Sequence, residues 1–421
     1  MTAKNLLPSV SSSHARGSIW KNSTSLRGVM IGYLVPEFPV QTHAFFWREI
    51  GAIEETGIPV KLYSTRRPAP NTCPHAFASE AIRRTIYLFP PAVGSVLFRI
   101  LLHPVRTMRA IGYIARLGET PARERLKLMA LILSAATLVE DARRSGVRHL
   151  HIHSCANAAH LGALAQILGD LPYSLTLHGD LPVYGADHAA KMHGAAFVAA
   201  VTRPLALQIK EVSPDTDTPV IWMGVDCERF VPVARPPNPI FTVVTVARLN
   251  HMKGHRFFLQ AMALLREEGI ILHYRIVGDG PEREAIEAEI ARLALRDQVQ
   301  MLGALDEAKV LELLGHVDAL ALTSVGKGEA APVAVMEAMS CGLPVICSRI
   351  GGTPDMIEDG INGFLIEQGD VVEIADRLKQ LITDAGLTTR MGQAARVTAV
   401  THFDRRANAR KLLDRIAAHV S

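Results

Sequence analysis

The chain has 421 residues, 48% of them hydrophobic and 20% charged, with a formal charge of +4 at neutral pH. That length exceeds one typical domain and points to two, each able to bury a core; the composition excludes a disordered chain, and so small a charge, with no dense Lys/Arg block, excludes a nucleic-acid footprint. Five scattered cysteines (Cys73, Cys155, Cys227, Cys341 and Cys347) are never spaced as CxxC, which argues against a disulfide framework or zinc site and for a reducing cytoplasm.

Residues 1–27 are polar and Ser-rich, lack the apolar core of a secretory signal, and read as a disordered tail. VMIGYLV (29–35) reads as a first strand, followed by a helix from about Thr42 to Glu55 and the strand PVKLYS. The segment 93–118 mixes aliphatics with Arg99, Arg106, Arg109 and Arg116. It reads either as a basic amphipathic helix lying on an anionic membrane or as helices packed on the first domain. No run of about eighteen uncharged apolar residues is long enough to span a bilayer.

HLHIHS, NAAHLGALAQILG, YSLTLHG, AAFVAAVT and PVIWM complete a first doubly wound unit. The proline-rich stretch 229–240 reads as a linker. From Ile240 onward β-branched runs alternate with helical patterns, the rhythm of a parallel sheet covered on both faces. The fold class is therefore α/β, with two Rossmann-like doubly wound domains facing across a cleft, 28–230 and 231–403. Ligands of such folds sit at the carboxyl ends of strands.

In GEAAPVAVMEAMSCGLP (328–344), Pro332 suits a first helical turn and Gly342 a C-cap. Glu329 then precedes the helix and Glu337 lies inside it, among flanks too apolar for a fully solvated face. A helix start, here at Ala331, Pro332 and Val333, offers free amide groups that bind an anion, and a carboxylate beside it can take sugar or ribose hydroxyls: together, a nucleotide-sugar site. The competing reading is an ordinary first-turn acid and a solvated glutamate.

Arg248 and Lys253 follow the strand FTVVTV, where cations can neutralise a pyrophosphate. VGDGPERE (277–284) carries Gly278 and Gly280 but has Arg283 at the third glycine position, so it reads as a tight turn and not a dinucleotide fingerprint. SVGKGE lacks the rest of a P-loop. Asp215 and Asp217 form a DxD pair in ordinary turn chemistry, and no metal is assigned. His178 ends the strand YSLTL beside Gly179, whereas His151, His153 and His160 read as structural.

These segments resemble the retaining glycosyltransferase family 4, from about Gly28 to the C-terminus. The resemblance rests on Glu329 and Glu337 ending in EAM, VARL-x3-KGH, VGDGPERE, MGVDCERF (223–230) and LHGD. It implies a GT-B fold whose last helix (404–421) returns to the first domain. It implies further that Glu329 contacts the donor sugar, Glu337 the ribose, Arg248 and Lys253 the diphosphate, and His178 the sugar from the first domain, with Gly278 and Gly280 on the donor side. No cofactor or divalent metal is expected, only a nucleoside diphosphate sugar as donor.

FPVQTHAFFWREI (38–50) with HLHIHSCANAAHLGALA looks like the branch that builds exopolysaccharide and other surface glycans, which places Thr42 and His43 on the acceptor side. His43 stands where that branch has an acid, and Ala330 where the family has Gly. The expected activity is transfer of a hexose to a glycan or lipid-linked glycan, in the cytoplasm or at the inner face of the membrane. The alternative is a catalytically degenerate nucleotide-sugar-binding or scaffold subunit.

Overall fold

A computed structural model describes residues 26, 28–70, 72–91, 102–234, 236, 238–326 and 329–420. The expected tail falls almost wholly outside these residues, as do Arg99 and all of 93–101.

Two six-stranded parallel sheets form the molecule. The first has the order β3-β2-β1-β4-β5-β6, with β1 Met30–Val35, β2 Val60–Ser64, β3 Thr85–Tyr87, β4 Val147–Ile152, β5 Tyr173–Leu177 and β6 Val198–Ala200. The second has the order β12-β11-β10-β7-β8-β9, with β7 Thr242–Val246, β8 His273–Val277, β9 Val299–Gly303, β10 Ala319–Leu322, β11 Val345–Ser348 and β12 Phe364–Ile366. Every residue of β5, β10 and β11 is buried, as expected of strands covered on both faces. Both sheets are doubly wound, with switch points between β1 and β4 and between β7 and β10.

Two stretches of chain cross between the sheets and pair with each other. The Val225 amide donates to the Phe403 carbonyl at 2.8 Å and the Arg405 amide to the Val225 carbonyl at 3.0 Å. Gly224 permits this approach, since a Cβ there would lie 2.3 Å from Arg405 Cα. Beyond the crossing, the Arg405–Ala417 helix is capped by Asp404 and buries Ala409, Leu412, Leu413 and Ile416 in one core with Ile31, Tyr33, Phe46 and Ile50.

The strand β4 and its end carry histidines at 149, 151 and 153, which a period of two puts on one face. All three are buried. His149 Nε2 and His151 Nδ1 share Ser174 Oγ (2.7 and 2.8 Å), and His151 Nε2 meets Thr176 Oγ1 at 2.9 Å. Burial pushes His149 down to about 3 and His151 and His153 well below their ordinary 6.5; burial likewise lowers His160 and His255 to about 4.

An unfolded chain takes these protons near pH 6.5, while the folded one refuses them until much lower pH. The stability is whole above about pH 6.5 and is lost as pH falls, by about 1.4 kcal/mol per pH unit for each proton withheld. The thermal midpoint should therefore fall from pH 6.5 towards 4 with a slope of several protons; a flat midpoint over that range would contradict the buried neutral cluster.

Candidate active site

At the second switch point, the chain leaves β7 and β10 towards opposite ends of the sheet and opens a crevice between their carboxyl ends. The loop after β7 brings Lys253 and the loop after β10 brings Glu329, and the ammonium and carboxylate are in direct contact. Ser324 Oγ donates to the same Glu329 oxygen at 2.9 Å. Glu329 is 7% exposed, and these two donors meet its carboxylate inside the protein. An ammonium has three hydrogens, and Glu329 engages one, leaving Lys253 able to meet a second anion. Thr323 Oγ1 bonds the Gly254 carbonyl at 3.1 Å, tying the two loops together.

Arg248 is exposed at the mouth of this crevice, with no ion pair among the described residues. Its backbone is braced from β8. Gly278 (φ 142°) and Gly280 (φ 157°) lie so close to the 247–249 segment that a Cβ would come within 1.8 Å of the Ala247 carbonyl oxygen and 2.3 Å of that of Leu249. Their visible part is to support Arg248.

The Val333–Ser340 helix follows Glu329 directly, with Pro332 at its N-cap position. Val335 and Met336 already donate to the Pro332 carbonyl, which leaves the amides of Val333 and Ala334 as first-turn donors. Ala331 is buried and Val333 half-buried. Ala330 is not among the described non-glycine residues of positive φ, so its backbone conformation does not call for a glycine. The Gly352 amide holds the turn from below through the carbonyls of Glu329 (3.2 Å) and Ala330 (2.8 Å).

Glu337 is also 7% exposed, which corrects the solvated-face reading. Its counter-ion comes from the other domain: Arg48, on the Ala44–Glu54 helix, donates from Nη2 to Glu337 Oε1 at 2.6 Å. The same guanidinium donates from Nε and Nη2 to Glu307 Oε2 at 3.0 and 2.8 Å, and Arg229 pairs with the other Glu307 oxygen. Burial pushes the Glu337 carboxyl up, and Arg48 opposes that shift. Oε1 is taken by Arg48, and Oε2 has no hydrogen bond among the described residues.

On the first domain, His178 sits half-buried just past β5, its ring 5.2 Å from those of Phe45 and Phe46. Its Nε2 meets His153 Nδ1 at 3.0 Å; His153 Nε2 lies 3.2 Å from Glu49 Oε1, which accepts the Tyr33 hydroxyl at 2.8 Å. No described hydrogen bond joins the His178 side chain to the second domain. Thr42 is exposed. His43 stacks on Phe38 with centroids 6.0 Å apart and abuts Phe46 at 5.0 Å, and burial lowers it to about 4. It is a packed aromatic, in place of the acid that the related branch carries.

Glu49, His151 and His153 offer ligand atoms within 4.8 Å of one another, but both nitrogens of His151 are already engaged, so the trio does not present a metal-ligand set. Asp217 pairs with Arg415 at 3.0 Å, in keeping with a turn. Residues 327 and 328 of SVGKGE lie outside the described residues.

The residues that motif reading passed over are Arg48, Glu49, His153 and Glu307. An Arg-Glu pair inside the apolar helix AFFWREIGAIE and a histidine repeat of period two were the available signals.

The sequence profile of the family described as glycosyl transferases group 1 matches residues 229–398. The putative colanic acid biosynthesis glycosyltransferase WcaL of Escherichia coli is 37% identical over 171 residues, 38% of this chain and 42% of that protein, so the match spans less than half of that relative. N-acetyl-alpha-D-glucosaminyl L-malate synthase of Bacillus anthracis is 30% identical over 287 residues, 64% of this chain and 74% of that protein. Anabaena Alr3699/HepE, solved in complex with UDP, shares the fold with a TM-score of 0.70 at 19% identity, over 93% of this chain and 100% of that one. That fold is GT-B, and the chain belongs to the group 1 glycosyl transferases.

Proposed function

We propose that the protein is a retaining hexosyltransferase that moves a sugar from a nucleoside diphosphate to a hydroxyl of a growing surface glycan. The observation that carries this reading is Lys253 held on the buried Glu329 beside the first turn of the Val333–Ser340 helix. Lys253, Arg248 and the first-turn amides neutralise the diphosphate as it departs. Glu329 takes a sugar hydroxyl and Glu337 a ribose hydroxyl.

In the transfer, the bond from the anomeric carbon to the diphosphate oxygen breaks while the acceptor oxygen bonds to the same face. The acceptor's proton passes to the departing diphosphate, so the protein supplies position and charge and needs no nucleophile of its own. A metal is not required in this scheme, since the cations of the chain provide the charge. The glycan acceptor is inferred from the name of the colanic acid relative, and its lipid-linked form only from the family resemblance.

The Pro104–Ala115 helix buries Ala110 and Ile114 against the first domain while Val105, Met108 and Ile111 are 64%, 66% and 36% exposed beside exposed Arg109 and Arg116. Apolar residues flanked by arginines on the outward side fit an anionic bilayer surface, which would set the enzyme beside a lipid-linked acceptor at the inner face of the membrane. No described helix is long and apolar enough to cross a membrane.

Alr3699/HepE was also solved with UDP-glucose, so a uridine nucleotide is the first donor to assay. Lys253→Ala and Glu329→Gln should each lower transfer by about a hundredfold or more with the fold intact by circular dichroism, and UDP should raise the melting midpoint of the wild type but not of Lys253→Ala. Undiminished transfer in both variants would overturn the site. Sedimentation with anionic but not neutral liposomes at low salt, weakened by Met108→Glu, is expected of the helix; equal recovery with both, or none, would refute membrane docking.

A further inference from the structure

The strands that flank the crevice of the second sheet part early. β7 stays paired with β8 from Thr242 to Val246, but its pairing with β10 ends at Val244 and Leu320. One residue further on, side chains take over from the backbone. Thr245 Oγ1 donates to the Ala321 carbonyl at 2.7 Å, the Tyr274 hydroxyl of β8 donates to Thr245 Oγ1 at 2.8 Å, and His255 Nδ1 lies 3.0 Å from the Tyr274 oxygen. All four residues are buried. His255 opens the His255–Glu267 helix, two residues after Lys253, so this row runs from the split in the sheet to the turn that carries the lysine.

The direction of the protons is fixed by the backbone end of the row. A carbonyl oxygen only accepts, and a hydroxyl has a single hydrogen. The Thr245 hydrogen therefore goes to Ala321 and the Tyr274 hydrogen to Thr245, burial keeping the phenol protonated. The Tyr274 oxygen must then accept from His255 Nδ1–H. Burial and the Lys253 ammonium lower His255 to about 4, so at neutral pH its ring is uncharged and its one hydrogen sits on Nδ1. Nε2 has no hydrogen-bond partner; a hydrogen placed there would lack an acceptor and set a bare Nδ1 against an oxygen with no hydrogen to give.

The same turn is gripped from the β10 side. The Met252 carbonyl accepts from the Val325 amide at 2.7 Å, and the Gly254 carbonyl accepts from Thr323 Oγ1 at 3.1 Å. Gly254 lies so close to the end of β10 that a Cβ would come within 1.8 Å of the Thr323 carbonyl oxygen. A lysine ammonium rides on a flexible four-carbon stem, so where it can reach depends on where its backbone is held.

We infer that His255, Tyr274 and Thr245 are positioning residues, a row of one-way hydrogen bonds that holds the Lys253 turn where its ammonium meets both Glu329 and the diphosphate of the donor. The inference rests on the transferase reading for the diphosphate; the row itself stands on the second domain alone. A misplacement of about 1 Å can cost about a hundredfold in rate, so the row acts on transfer through Lys253 without touching the substrate.

In protein labelled with 15N-histidine, the long-range proton–nitrogen spectrum should show His255, assigned by the signals lost in His255→Asn, with Nδ1 protonated and Nε2 bare at neutral pH; a protonated Nε2 would overturn the inference. Kinetically, His255→Leu and Tyr274→Phe should each lower kcat/KM for the donor by about tenfold or more, and His255→Asn, whose amide N–H takes the place of Nδ1–H, should restore most of it. Tyr274→Phe removes one oxygen and keeps the ring against Phe258, 4.2 Å away between centroids, so it serves even if His255→Leu does not fold.

The deciding arm repeats both substitutions in Lys253→Ala. A row that acts through Lys253 should cause no further loss there, because residues in one network are not additive. The same fold-loss with and without Lys253 is the mark of a merely structural histidine and would overturn the inference, as would unchanged kcat/KM in Tyr274→Phe and His255→Leu. If the wild type transfers no sugar and binds none of UDP, GDP, ADP and TDP, the transferase reading fails and the role of the row fails with it, whatever the tautomer.

Discussion

A carboxylate buried to 7% exposure must be met by a cation, and the stretch from 329 to 337 contains two of them. Lys253 meets Glu329 from within the second domain, and Arg48 meets Glu337 from the first. Removing one partner of a buried pair typically costs about 3–5 kcal/mol, so these two contacts constrain everything around them. The first holds the loops after β7 and β10 at a fixed separation. The second clamps the Ala44–Glu54 helix of the first domain onto the second, with Glu307 and Arg229 completing the charge balance. One short helix thereby sets both the chemistry of the cleft and the relation of its walls.

The paired crossing at Val225 and Arg405 gives that clamp its leverage. With both connections between the domains running side by side, and Asp226 bound by Arg405 at 2.8 Å, relative motion of the domains is confined to a narrow strap. Arg48 lies near it, its guanidinium 5.4 Å from the centre of the Phe230 ring. A donor that takes up Glu337 Oε2 would therefore touch a residue already bound to the opposite domain.

Much of this was legible in the residues. Short uncharged runs such as FTVVTV and YSLTL, rich in β-branched and aliphatic residues, announce strands, and Pro332 and Gly342 mark the ends of one helix, because local backbone rules act over a few positions. Lys253 and Glu329 were legible from their places at strand ends, although 76 residues separate them. Arg48 was not: its apolar helix hints that it is buried, but its partner is 289 residues away, on another domain, and no local pattern names it. His153 looked structural because a histidine on a buried strand usually is, and only the position of Glu49 on a neighbouring helix gives it a second contact. His43, read as acceptor-facing, packs half-buried against Phe38 and Phe46, contacts that no sequence pattern announced.

The central claim is that the diphosphate of the donor is held at the switch point of the second sheet, and a crystal structure with a bound nucleoside diphosphate tests it most directly. The account predicts phosphate oxygens against Lys253 Nζ, Arg248 and the amides of Val333 and Ala334, with a ribose hydroxyl on Glu337. A diphosphate seated instead at the switch point between β1 and β4, with Lys253 still engaged by Glu329 alone, would contradict it.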